Sequence, residues 1–267
     1  MRAEVFRRVV VGRRKSIIGW ALGFLATMAF IVLLYPAVRD QPSFGDLIED
    51  YPEFVQQILG LGGGLELGSP EGYLNSQLFA NTLPILFLIY LLAFAVRETA
   101  GEEGDKTMNL ALAHPIKRER FILEKFAAMT VTGFGLAMVA VAGLLITGPL
   151  VDMDLTVAGY FGATVSVFLI ALAFATLALA VGAWTGKKSL AYGVTSTLAV
   201  AFFLLWGLAP IVDALGWTNA INPFFWGLAG TPVVSGLQVG NALLLVGAVV
   251  MLVAAAIAGF RRRDIGV

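Results

Sequence analysis

Six stretches of the chain run apolar for about twenty residues or more without a charge: 16–35, 76–96, 126–148, 158–184, 190–212 and 239–260. A helix of about 20 residues crosses a hydrocarbon core of about 30 Å. A charge at its centre costs about 2.5–3.5 kcal/mol on insertion. Uninterrupted runs of this length therefore predict six transmembrane helices. The fourth and fifth are separated only by Thr185, Gly186, Lys187, Lys188 and Ser189, which predicts a tight helical hairpin. The small pairs Gly133/Ala137, Gly159/Ala163 and Ala178/Gly182 sit four apart within spans and predict close helix packing.

The connecting segments differ in pattern. Within residues 1–15, Val5, Phe6, Val9 and Val10 fall on one side of a helix, with Arg7 and Arg8 away from them. That predicts an amphipathic helix lying on the membrane surface. The basic start followed by an apolar run could be a signal peptide. The run is too long, however, and no small-x-small cleavage site precedes Pro36, so an uncleaved first span is expected. Segment 38–75 is acidic and broken by Pro and Gly. A short helix is expected over 52–59, ended by Gly60, and Ser69–Pro70–Glu71 reads as the capped start of the second span. Segment 214–238 has no charge, carries Trp217, Phe224, Phe225 and Trp226, and is broken by Pro223 and Pro232. It is too interrupted to span and too apolar to be fully solvated. Two short re-entrant helices would satisfy both facts; the plainer reading is an aromatic belt.

Composition agrees with a membrane protein. The chain is 58% hydrophobic and 13% charged, with a mean hydropathy of +0.85, against about 45–50% and about 25% in soluble domains. Cysteine is absent, which removes disulfides, thiolate metal sites and cysteine nucleophiles. The net charge of zero hides an asymmetry: in the six-span topology 17 of the 18 basic residues fall on one side, Arg39 alone on the other. The positive-inside rule puts both termini and the loop 97–125 in the cytoplasm. That loop packs 12 charged residues into 29 positions.

Reactive chemistry is sparse. The sole histidine is His114, and neither H-E-x-x-H nor G-x-S-x-G occurs. No ionisable residue falls inside a predicted span, unlike most ion-coupled carriers. "WTGKKS" fails as a phosphate loop, because Lys188 replaces the required Ser/Thr and Val181 the upstream glycine. No catalytic, cofactor-binding or metal residue is expected, and uphill transport would draw its energy from a partner. Within 97–125, Met108, Ala111 and Leu112 keep helical spacing behind a run of acids, with Pro115 ending the run. A short amphipathic cytoplasmic helix is expected there; a solvated connector is the alternative.

The order of these features resembles the ABC-2 type membrane subunits of prokaryotic ABC exporters. Glu102 and Glu103 match the family's acids after the second span, Thr107 its threonine, Leu110 and Leu112 its leucine turn, and Pro115, Arg118 and Lys125 its later positions. Lys106 and Lys117 depart from the usual glycine and serine. The segment 222–226, Asn222, Pro223, Phe224, Phe225 and Trp226, is similar to the family's Asn-Pro-aromatic feature. The resemblance implies an all-α polytopic permease that binds no cofactor itself. ATP and magnesium would sit on two copies of a separate ATPase subunit, and a second permease copy, identical or homologous, would complete the transporter. The coupling helix would use Glu102, Glu103, Thr107, Met108, Leu110, Leu112, Pro115 and Arg118. It also implies a multi-pass protein of a bacterial or archaeal cell membrane, in contact with lipid and not with nucleic acid.

The fifth span carries Tyr192, Thr195, Ser196, Ala199, Phe202, Phe203 and Trp206 at helical spacing on one side. With Asn81 of the second span, these are candidates for lining a pathway. Gln77 shares a face with Asn81, and Tyr90 points away. Helix packing explains the same stripe equally well. Outside transport, the competing reading is a membrane scaffold that recruits a soluble partner through 97–125.

Overall fold

The computed structural model describes residues 4–40, 51–61, 65–101, 117–153 and 155–263. Among them there are helices and no strands. Helix α1 is Glu4–Gly12 and α2 is Arg14–Arg39; α3 is Glu53–Ile58. Helix α4 runs Pro70–Gly101, α5 Arg118–Thr147 with a 3-10 extension to Val151, α6 Val157–Thr185 and α7 Lys188–Leu208. A 3-10 stretch Asp213–Ile221 leads to two short helices, α8 Pro223–Leu228 and α9 Pro232–Ser235, and α10 is Val239–Arg262. Six helices (α2, α4, α5, α6, α7 and α10) are long and apolar enough to cross a membrane. The protein is an all-α polytopic membrane protein.

Helix α6 is the axis of the bundle. It packs against α4, α5, α7, α8, α9 and α10, and 89% of its apolar window is buried, against 22% for α2 and for α7. Its small residues explain this position. A Cβ on Gly159 would collide with the backbone of Val233 in α9, and one on Gly182 with Thr99 of α4. Ala163 and Ala178, one turn from each, are buried. Gly133 of α5 lies against Leu91 and Phe168, with Ala137 buried one turn on. The peripheral helices expose large apolar side chains such as Leu22, Phe30, Leu243 and Met251, the faces that hydrocarbon solvates in a bilayer.

Several helices overrun their apolar runs. Helix α5 starts at Arg118 instead of 126, so Glu119, Arg120, Glu124 and Lys125 are helical. Helix α4 continues to Gly101 through a π-helical turn, Arg97–Gly101. The ends of the expected cytoplasmic loop are therefore stalks of the spans, because their charges find protein partners there. Helix α7 stops at Leu208, short of 212, since Pro210 cannot donate to the helix and disfavours it in the residue before. The short helix expected over 52–59 is α3, with Pro52 at its N-cap and Gly60 at φ +77° behind it. Ser69 caps α4, its Oγ accepting from Gly72 N at 3.0 Å.

Candidate functional site

The charged residues that border the spans converge at one end of the bundle. Helix α1 lays Val5, Phe6, Val9 and Val10 on the core and leaves Arg7 and Arg8 exposed. Its N-terminus is held by a carboxylate from a distant helix: Glu124 Oε2 accepts from Val5 N at 2.9 Å and Phe6 N at 3.1 Å. Unpaired amides and the helix dipole both favour an anion there. The other Glu124 oxygen takes Arg120 Nε at 2.7 Å.

At the joint between α1 and α2, Arg13 turns inward. Its Nε donates to Glu98 Oε1 at 2.8 Å, and its guanidinium lies 4.3 Å from the Phe94 ring centre. Lys125 reaches the same carboxylate from α5. Its Nζ is 3.9 Å from Glu98 Oε2, donates to the Glu98 carbonyl oxygen, and lies 4.2 Å from the Phe121 ring centre. Lys125 is 1% exposed and Glu98 7%. Two cations thus share one carboxylate, and two aromatic faces and a carbonyl offset the surplus positive charge. The cluster ties α2, α4 and α5 together.

A second set of bonds fastens α10. Arg118 Nη1 donates to the Arg263 carbonyl at 2.8 Å, with the Phe260 and Arg261 carbonyls at 3.4 Å, so a cation sits at the helix's negative end. Arg261 pairs with Glu119 at 3.0 Å on the exposed surface. Trp184 Nε1 donates to Ala255 O at 2.8 Å. The Arg263 guanidinium covers Gly186, whose φ of +65° ends α6; any side chain there would collide with it. Together these contacts make a polar girdle around the ends of α1, α2, α4, α5, α6 and α10, from which residues 102–116 depart.

Glu102, Glu103, Thr107, Met108, Leu110, Leu112 and Pro115 lie outside the described residues; Arg118 belongs to the girdle. The residues that sequence reasoning missed are Arg13, Glu98 and Glu124, together with the burial of Lys125. A charge at the border of an apolar run looks the same whether it reaches for solvent or turns inward, so no local signal marks them.

The span-five stripe divides. Thr195, Ala199 and Trp206 are buried within the chain, Phe202 and Phe203 are half-buried, and Tyr192 and Ser196 are exposed. The buried line continues through Ala191, so it is the seam against the rest of the bundle. In α4, residues Asn75–Thr82 are wound as a π-helix. Gln77 is exposed, Asn81 is half-buried, and Tyr90 lies apart from both, against Trp20 and Phe94. A cavity of about 220 Å³ opens between α4 and α7, lined by Ala80, Asn81, Pro84, Ile85, Leu88, Ala199, Val200, Phe203 and Phe224. The structure thus brings Asn81, Ala199, Phe203 and Phe224 together, and leaves Tyr192, Thr195, Ser196, Phe202 and Trp206 outside that lining.

The Asn-Pro-aromatic segment reaches deep into the bundle. Asn222 is fully buried; its Nδ2 donates to Phe202 O at 2.9 Å and its Oδ1 accepts from Phe224 N at 3.0 Å. Pro223 opens α8. Phe224 packs on Phe174 and Phe203 with ring centres 5.6 and 5.4 Å apart. Gly227 sits against Ile170, near the middle of α6, whereas α9 meets Gly159 close to that helix's start. Helices α8 and α9 therefore climb α6 from its middle toward one end. Phe225 and Trp226 are half-buried against the core. The link between α8 and α9 holds Gly230 and Thr231, both at positive φ.

No curated protein is similar enough to count as a relative. A sequence profile of the family described as "ABC-2 family transporter protein" matches residues 12–265. That match takes in all six long helices, the girdle apart from α1, and the α8–α9 segment, and so the chain belongs to the ABC-2 family of transporter proteins as a membrane-spanning transport subunit.

Proposed function

We propose that this chain is the permease of an ABC exporter in a bacterial or archaeal cell membrane, driven by ATP hydrolysis on two separate ATPase subunits and completed by a second permease copy. Both termini and the girdle face the cytoplasm, α1 lies along the inner membrane surface, and α8–α9 form a re-entrant hairpin in the outer leaflet. Segment 102–116 docks in the ATPase.

The girdle is the observation that supports this reading most. A push on 102–116 arrives at the end of α4 and the start of α5, the two stalks that flank it. Glu98 and Lys125 bind those stalks to each other, and Arg13 binds them to α2. Force at the loop therefore moves several spans as one body instead of bending a free connector.

The test is reconstitution with the ATPase. Leu112→Asp buries an unpaired charge in the docking contact and is expected to abolish co-purification and substrate-stimulated ATP hydrolysis. Glu119→Ala breaks only an exposed pair with Arg261, worth about 0–1 kcal/mol, and should be mild. Full binding and full coupled activity in Leu112→Asp would overturn the proposal.

A further inference from the structure

We propose that Arg118 is a positioning residue of the transport cycle, which passes the stroke received by α5 on to α10 and α6 and is not itself a docking contact. The inference rests on the permease reading above. Arg118 opens α5, directly after the segment that docks, and the family resemblance places it among the ATPase-coupling residues. Its guanidinium turns instead to the far end of the chain. Nη1 donates to the Arg263 carbonyl at 2.8 Å, with the Phe260 and Arg261 carbonyls at 3.4 Å. The last carbonyls of a helix lack intrahelical partners, and Arg263 leaves α10 in an extended conformation. A charge-assisted bond to such acceptors fixes direction as well as distance. The other contacts between these two helix ends constrain less. Phe121 and Phe260 stack with ring centres 5.7 Å apart and planes 17° apart, and apolar faces can slide, since their attraction is non-directional. Glu119 and Arg261 pair on the exposed surface, where an ion pair holds little.

Beyond Arg118, α10 and α6 form one body. They approach so closely that a Cβ on Gly259 would strike the Trp184 ring. Trp184 Nε1 donates to Ala255 O at 2.8 Å. Arg263 reaches back to Ala183 O at 3.5 Å and covers Gly186, at the turn into α7. The other stalk, α4, meets the same end of α6 directly: Thr99 lies against Gly182, too close for any side chain there. Both stalks beside the docking segment thus converge on the last turns of α6, α4 by packing and α5 through Arg118. The direct meeting of α5 and α6 at Gly133 and Phe168 lies about four turns further along α5, too far to hold the end of α5 in register. Because α4, α5, α7, α8, α9 and α10 all pack on α6, a displacement delivered to its end reaches the whole bundle.

The complex of permease and a cysteine-free ATPase is placed in nanodiscs, and distances between nitroxide pairs are read by double electron–electron resonance. The chain has no cysteine, so the exposed positions Leu123 on α5 and Lys187 at the α6–α7 turn can each be paired as cysteines with Gly68 at the opposite end. Dilution with unlabelled permease leaves only distances within one chain. In the wild type, ATP with vanadate should shift both distances. Arg118→Met keeps the side-chain stem and removes the cation. It should leave the ATPase co-purifying and the Gly68–Leu123 shift intact, and abolish the Gly68–Lys187 shift. Arg118→Lys returns a cation and should recover it. Loss of co-purification in Arg118→Met would make the residue a docking contact, and equal loss of both shifts would make it merely structural; either overturns the proposal. So does a Gly68–Lys187 shift that survives Arg118→Met, or a wild type in which only the Gly68–Leu123 distance shifts. A wild-type complex in which neither distance shifts overturns the permease reading, and this inference with it.

Discussion

Glu98 is the single anion between two cations, and its removal has a definite sign. Breaking one member of a buried ionic cluster leaves charge without compensation and typically costs about 3–5 kcal/mol. Glu98→Ala should therefore lower the thermal unfolding midpoint in detergent sharply. Adding Lys125→Met should restore part of the loss, because the orphaned ammonium goes with it; a double variant no better than the single would show that the two do not interact. Two threonines offer a finer comparison. Thr195 and Thr176 are both fully buried. Thr176 Oγ1 donates to Leu172 O at 2.7 Å, whereas Thr195 Oγ1 has no partner among the described residues. An unsatisfied buried hydroxyl costs about 1–3 kcal/mol and a satisfied one stabilises by about 0.5–1.5 kcal/mol. Thr195→Val should raise the unfolding midpoint and Thr176→Val should lower it, each measured by the same melt.

Among the elements, α8 depends on its cap more than on its length. Six residues cannot hold a helix in isolation. Asn222 supplies the N-terminal acceptor and a donor to α7, and the Phe224 ring supplies the packing. Asn222→Ala loses both bonds at a buried site, an expected cost of about 2 kcal/mol. Limited proteolysis should then cut between α7 and α10 faster than in the wild type; equal rates would show the segment held by packing alone. At this scale much could be read in advance. Apolar run length gave the spans, Ser69 and Gly60 marked helix ends, and the face of α1 followed from its spacing. Three features could not be read. The π winding of Asn75–Thr82 breaks the 3.6-residue period on which an apolar run is read. The inner face of α7 was set by the small residues Ala191 and Ala199 fitting α6's surroundings, not by where Ser and Tyr fall. The overrun of α5 past its apolar boundary depended on partners in α1, α4 and α10, which no local window contains.

For the whole molecule, the charge partition and the girdle make one topological claim. Lys187, Lys188, Arg261 and the girdle lie toward one end, and Gly68 and Arg39 belong to the other. The chain has no cysteine, so single substitutions report cleanly. In intact cells a membrane-impermeant thiol reagent should label Gly68→Cys and should reach Lys187→Cys only after permeabilisation. Labelling of both from outside would reverse the assignment of 97–125 to the cytoplasm, and with it the docking of an ATPase there.

The Glu124 cap on α1 also sets an order in time. Val5 and Glu124 are 119 positions apart, and a ribosome adds about 5–20 residues per second. For roughly 6–24 s after Val5 is made, the amides at the start of α1 lack their carboxylate. Arg13 finds Glu98 sooner, 85 positions on. The first helix to be synthesised is thus left without its cap until the third span has begun. Synthesis of the first turns of the third span is the event that locks it, and a nascent chain halted before residue 124 should carry its N-terminal arm loose beside the translocon.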